Sequence, residues 1–131
     1  MIVGIESTAH TFGVGVIDKN KILANVKDMY IPASGGIIPI ESAKHHEKVA
    51  DSVYKKALDV AGISEKDIKV FAFSNAPGLA PCLLAGLSFV KKKAKDLGIN
   101  IIPVNHCIAH LEIGRSIGSK DPVLLYTSGA N

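Results

Sequence analysis

The sequence predicts an α/β fold in which three antiparallel strands come first and β/α units follow. Three observations carry this reading. Two short apolar runs near the N-terminus are separated by small and hydroxyl residues, and a longer amphipathic run follows them. After Gly36 a long segment repeats its apolar residues at helical spacing, and two later apolar runs, Lys69 to Ser74 and Ile99 to Val104, each lead into another helical pattern. Strand-type runs alternating with helical ones are the mark of β/α units. With 131 residues, 47% hydrophobic and 21% charged, the chain can bury one ordinary core and has the composition of a folded domain, which argues against disorder.

Ile2 to Ile5 is the first strand, Glu6-Ser7-Thr8-Ala9-His10-Thr11 a turn, and Phe12 to Ile17 the second strand of a hairpin. Asp18-Lys19-Asn20-Lys21 supplies turn residues, and Ile22 to Tyr30 reads as a third strand. The hydroxyls and backbone N–H groups of the Ser7/Thr8 turn suit a phosphate, although such residues also fill ordinary turns. Pro32 to Pro39, with Ser34-Gly35-Gly36, connects to a helix on which Ala43, Val49, Ala50, Val53, Tyr54, Ala57, Leu58 and Ala61 share a face. Gly62 is placed to end it in the left-handed conformation. His45 and His46 are adjacent, so they project in different directions and fit capping or packing better than a shared metal.

The strand at Lys69 to Ser74 runs into Asn75-Ala76-Pro77-Gly78-Leu79-Ala80-Pro81, whose last proline suits the first turn of the next helix. Leu83, Leu87, Val90, Ala94 and Leu97 keep one face of that helix apolar until Gly98. A loop at the C-terminal end of such a strand is where α/β sheets bind ligands; a plain βα turn is the alternative. Ile99 to Val104 is the next strand and Asn105 a candidate N-cap for a helix that carries His106 and His110. At a separation of four residues both imidazoles face the same space and can hold one divalent cation, although a hydrogen-bonded pair has the same spacing and a metal needs further ligands. After a polar loop, Val123 to Tyr126 reads as a buried-type strand running into Thr127-Ser128-Gly129-Ala130-Asn131. This ending repeats the logic of the opening, so residues 1–118 are expected to form one lobe and 119–131 the first strand and turn of a second lobe in a longer protein.

The net charge of +3 and pI near 8.9 are mildly basic, with Lys91, Lys92, Lys93 and Lys95 as the densest cluster. Such a cluster suits phosphates or a solvated helix face equally. The opening Met1-Ile2-Val3-Gly4-Ile5-Glu6 has neither a basic region nor the length of an apolar span, so a cytoplasmic protein without a membrane anchor is expected. Cys82 and Cys107 lack metal-type spacing and are expected as small, unbridged side chains.

Taken together, these residues resemble the tRNA threonylcarbamoyladenosine synthesis family, TsaD in bacteria and the catalytic subunit of the KEOPS complex in archaea and eukaryotes. The resemblance rests on Gly4-Ile5-Glu6-Ser7-Thr8-Ala9-His10-Thr11-Phe12-Gly13, on Gly35-Gly36 with Pro39, Glu41, Ala43 and His45-His46, and on Pro77-Gly78-Leu79 with Pro81. It continues through Asn105-His106-Cys107-Ile108-Ala109-His110 and Tyr126-Thr127-Ser128-Gly129-Ala130-Asn131, and the opening is of the archaeal, KEOPS type. It implies one lobe of an actin-like ATPase with an RNase H-like mixed sheet. It also implies an iron or zinc ion on His106, His110 and Tyr126, and ATP or threonylcarbamoyl-adenylate against Tyr126, Thr127, Ser128, Gly129, Ala130 and Asn131. The implied reaction moves a threonylcarbamoyl group from the adenylate to the adenosine beside the anticodon of tRNA. The implied partners are tRNA, a kinase-like ATPase, a dimerising subunit and a C-terminal lobe that supplies an aspartate ligand. Ala76 and Ala80 replace family glycines, and Ile40 stands in place of an arginine. A metalloendopeptidase fits less well, because the His pair lacks an intervening glutamate base. A phosphotransferase lacks a clear catalytic aspartate, and a non-catalytic binding lobe is the remaining alternative.

Overall fold

The computed structural model describes residues 1–118 and 120–127. Its five strands are β1 (Ile2–Glu6), β2 (Thr11–Asp18), β3 (Lys21–Met29), β4 (Val70–Ala76) and β5 (Asn100–Asn105), and its helices are α1 (Pro39–Ala61), α2 (Ala80–Leu97) and α3 (His106–Ser116). They form one sheet in the order β3-β2-β1-β4-β5. The first three strands are antiparallel neighbours, while β4 and β5 run parallel to β1. This is the mixed sheet that the sequence predicts, with the two β/α units added to one side of the meander.

Register explains why the core lies on one face. Val3 pairs with Val16 and Phe71, and Ile5 with Val14 and Phe73, so these side chains stand in rows on the same side of the sheet. All are buried, beneath Ala50, Val53, Tyr54, Ala57 and Leu58 of α1 and Val90 and Ala94 of α2. Each fully buried side chain of this size stabilises by about 1.5–3 kcal/mol. Phe12 meets Phe89 edge to face with ring centroids 5.7 Å apart, which fixes α2 against β2. On the opposite face, Gly4 pairs with Gly15 and Ala72, leaving a shallow trough of about 290 Å³ over the strands.

Helix boundaries follow the local signals. Gly62 and Gly98 adopt φ of 66° and 65°, and their N–H groups close the last turns of α1 and α2. Asn105 caps α3 as expected, its side-chain oxygen accepting from the N–H groups of Cys107 and Ile108. Ala76 ends β4 and Ala80 opens α2; neither takes positive φ, so alanine is tolerated at both. Cys82 and Cys107 are unbridged, and burial pushes the Cys82 thiol up. Lys93 reaches Asp51 at 2.9 Å and lies over the Tyr54 ring, so one lysine of the basic cluster has an internal role.

The strand expected over Val123 to Tyr126 does not form. Residues 122–127 have no regular structure, and Val123 and Leu125 are 95% and 85% exposed. A strand exists only through hydrogen bonds to a neighbouring strand, and this segment passes α3 instead, with Pro122 lying against Gly114. An apolar run without a partner edge gains nothing from an extended conformation. Among the described residues, no helix is long and apolar enough to cross a membrane.

Candidate functional site

Because β1, β4 and β5 are parallel, their carboxyl ends lie along one sheet edge, the edge where open α/β sheets bind ligands. Three segments emerge there: the turn Ser7 to His10 after β1, the loop before α2, and α3 directly after β5. The turn and α3, together with Tyr126, bound an open cleft of about 620 Å³ lined by Glu6, Thr8, His10, Thr11, Asn25, His106, His110 and Tyr126.

The Ser7 turn is built into the fold rather than left as a surface connection. Ser7 and Thr8 are buried. The Ala9 carbonyl accepts from Ser42 Oγ at 2.7 Å and from His46 Nε2 at 2.9 Å, both on α1. The Thr8 carbonyl accepts from Leu79 N at 2.7 Å. Gly78 and Gly86 press against the turn from the other side: a Cβ on Gly78 would lie 2.7 Å from the Thr8 oxygen, and one on Gly86 would overlap the Ser7 side chain. His46 thus has the packing role expected from sequence, fully buried with its Nδ1 unpaired, and burial pushes its pKa below the ordinary value. His45 Nε2 lies 2.8 Å from Asp28 Oδ1, so the two neighbours do turn apart.

His106 and His110 meet across one turn of α3. Their Nε2 atoms are 3.1 Å apart and their rings stand edge to face at 4.5 Å. Metal–nitrogen bonds of about 2.0–2.1 Å at tetrahedral or right angles place two imidazole nitrogens roughly 3 Å apart, so the separation of the pair matches that of two nitrogens on one cation. The Tyr126 ring is 5.9 Å from the His106 ring, held there by the return of the chain across Gly114. Two imidazoles and a phenol are a donor set for zinc or iron that still lacks a carboxylate. Among the described residues, no group of three His, Cys, Asp or Glu side chains could hold a metal. Thr127 is exposed at the rim, and the expected nucleotide residues Ser128, Gly129, Ala130 and Asn131 lie outside the described residues.

Sequence reasoning assigned no role to the residue on which the cleft closes. Glu6 Oε1 accepts from the Thr8 N–H at 2.8 Å and from the Thr8 hydroxyl; Oε2 accepts from the Ser74 hydroxyl and lies 3.2 Å from His106 Nδ1. Burial alone would raise the Glu6 pKa, but the hydrogen bonds from Ser74 and Thr8 and the nearby His106 outweigh it and hold the carboxyl below its ordinary value. Glu6 is therefore an anion at neutral pH. A charged residue closing an otherwise apolar strand was the available signal.

A family model described as TsaD, tRNA N6-adenosine threonylcarbamoyltransferase, matches residues 21–131. The chain belongs to the TsaD family. It is 48% identical to the tRNA N6-adenosine threonylcarbamoyltransferase of Staphylothermus marinus and 47% identical to that of Thermofilum pendens, over 98% and 99% of this chain. It is also 45% identical to a probable bifunctional tRNA threonylcarbamoyladenosine biosynthesis protein of Thermoplasma volcanium. The chain spans about 40% of the length of the first two relatives and 25% of the third. Among solved structures it is similar to YeaZ from Pseudomonas aeruginosa, at 17% identity with a TM-score of 0.69 over 91% of this chain and 50% of that one. A ROK hexokinase from Thermus thermophilus follows at 16% identity and a TM-score of 0.52, covering 90% of this chain and 38% of that one. These likenesses bear out the actin-like, RNase H-like fold. Glu6, His106 and His110 meet at the carboxyl edge of the sheet.

Proposed function

We propose that this chain contributes the metal- and adenylate-binding half of a tRNA N6-adenosine threonylcarbamoyltransferase. The observation that supports it best is the convergence of His106 and His110 Nε2, 3.1 Å apart at the ligand-binding edge of the sheet, with Tyr126 alongside. In the proposed reaction the exocyclic amine of the adenosine next to the anticodon attacks the carbamoyl carbonyl of threonylcarbamoyl-adenylate. The new C–N bond forms as the bond to the adenylate phosphate breaks, the amine loses a proton and AMP leaves. Iron or zinc held by His106, His110 and Tyr126 would supply Lewis acidity and orientation. The chain's own groups bound the cleft: Thr8, His10 and Thr11 offer hydroxyl and imidazole groups to an adenylate, and Ser42 and His46 hold the turn that presents them. Residues Tyr126 to Asn131 complete the nucleotide contact. The working protein is cytoplasmic, includes a second lobe, acts on tRNA and assembles with KEOPS-type subunits, a kinase-like ATPase and a dimerising subunit.

Elemental analysis of the dialysed chain tests the metal reading. Iron or zinc retained by the native chain and lost from both His106→Ala and His110→Ala is the expected result. Native chain that also fails to retain or bind added Zn²⁺ would sink it. Turnover of threonylcarbamoyl-adenylate with tRNA, on adding the complementary C-terminal half, separates the transferase from a lobe that only binds; 40% coverage of the relatives keeps that second reading in view.

A further inference from the structure

We propose that Glu6 is a positioning residue that sets the tautomer of His106 and thereby aims its Nε2 lone pair at the cleft. The geometry leaves the carboxylate little choice of partner. Both Glu6 oxygens face hydrogen-bond donors, as a carboxylate, which can only accept, requires. Its Oε1 is occupied by the backbone N–H and hydroxyl of Thr8, and its Oε2 takes the Ser74 hydroxyl and faces His106 Nδ1 at 3.2 Å. A neutral imidazole facing a carboxylate oxygen must present a protonated nitrogen to it. Nδ1 of His106 therefore carries the proton, and Nε2 is the unprotonated nitrogen, 3.1 Å from His110 Nε2. His110 Nε2–H donates into that lone pair in the free protein, and a cation displaces that proton when it binds.

The four groups that face Glu6 come from three parts of the chain. Thr8 lies on the turn after β1, Ser74 at the end of β4 and His106 at the start of α3, so the carboxylate cannot swing without breaking bonds in two of them. Carboxylates placed behind a metal-binding imidazole in this way fix ring orientation and raise ligand basicity. The inference deepens the metal reading of the same cleft, but its first readout requires no metal.

That readout is the ¹⁵N NMR of the His106 ring in the metal-free chain, at a pH above the ordinary imidazole range. The expected pattern is a protonated, pyrrole-type Nδ1 and an unprotonated, pyridine-type Nε2. Glu6→Gln is the diagnostic variant. Its carbonyl oxygen stays on the two Thr8 donors, so its NH₂ replaces Oε2, donates to Nδ1 and reverses the His106 pattern. Ser74→Ala removes a different donor from the carboxylate and leaves the wild-type pattern in place. A wild-type His106 protonated at Nε2 would overturn the proposal even if Glu6→Gln failed to fold, and so would a folded Glu6→Gln with an unchanged ring. Zn²⁺ titration then separates the two readings. Loss of about 10–100-fold in Zn²⁺ affinity in Glu6→Gln is expected. Absence of Zn²⁺ binding to a wild-type chain with the stated tautomer would remove the metal reading and leave the role of Glu6 standing.

Discussion

Gly86 on α2 lies directly against the side chain of Ser7, so closely that a Cβ on the glycine would come within 2.8 Å of Ser7 Cβ and overlap Ser7 Oγ. The absence of one methyl group is what lets α2 sit over the turn that forms the floor of the cleft. Gly86→Ala therefore forces the helix or the turn to shift, at about 1–3 kcal/mol. Thermal melts should show a lower Tm for Gly86→Ala, and an unchanged one for Gly36→Ala, where nothing lies within 4 Å and φ is not positive. Equal melts for the two variants would refute the close-packing account.

His46 makes the fold acid-sensitive before any carboxylate does. Burial lowers its pKa in the folded chain from the ordinary 6.5, so the unfolded chain binds the proton more readily. Its contribution is complete above about 6.5 and is lost as pH falls below that value towards its lowered folded pKa. Glu6, whose pKa is lowered from 4.5, keeps its full contribution down to about 4.5 and loses it as the pH falls from there through its lowered folded value, so the two windows are distinct. A Tm profile should begin to fall just below neutrality. In His46→Gln, which keeps a donor for the Ala9 carbonyl, the first part of the fall should disappear.

Asn105 positions both site histidines through the helix start that it caps. Its side chain satisfies two N–H groups of the first turn of α3, and Asn105→Ala should cost about 1 kcal/mol. Since α3 contributes no buried residue to the core, the loss should appear locally. Hydrogen exchange should quicken at Cys107 and Ile108, with little change in the strands of the sheet.

Glu6→Ala differs from these in leaving several groups unmet at once. Thr8 N–H, Thr8 Oγ and His106 Nδ1 lose their acceptor, while Ser74 Oγ keeps the Ile5 carbonyl, and each buried polar group left unpaired costs about 1–3 kcal/mol. Denaturant unfolding should place Glu6→Ala below Glu6→Gln in stability. The reverse order would show that the carboxylate is not the hub of this edge.

What was legible in the sequence was set by neighbours along the chain. The apolar runs of β1 and β2, the spacing of Ala50, Val53, Tyr54 and Ala57 on α1, the closing glycines Gly62 and Gly98 and the Asn105 cap all act over a few residues, and all appear in the structure. The His106 and His110 pair was legible for the same reason, since helical spacing alone brings them together. Val123 to Tyr126 was misread because a run of apolar residues does not say whether a partner strand is available.

By itself, then, the sequence determined the order of the elements from β1 to α3, the apolar faces of α1 and α2 and the family to which the chain belongs. Only the tertiary structure decided that Glu6 is the group behind His106, because the two are separated by 100 residues and meet only when β1, β4 and β5 align in parallel. It also decided that Gly78 and Gly86 are needed for close approach to the Ser7 turn and that His46 holds the Ala9 carbonyl. Periodicity and capping are local energies and can be read along a chain. A hydrogen bond between distant residues depends on register and strand order, which no short stretch of sequence encodes.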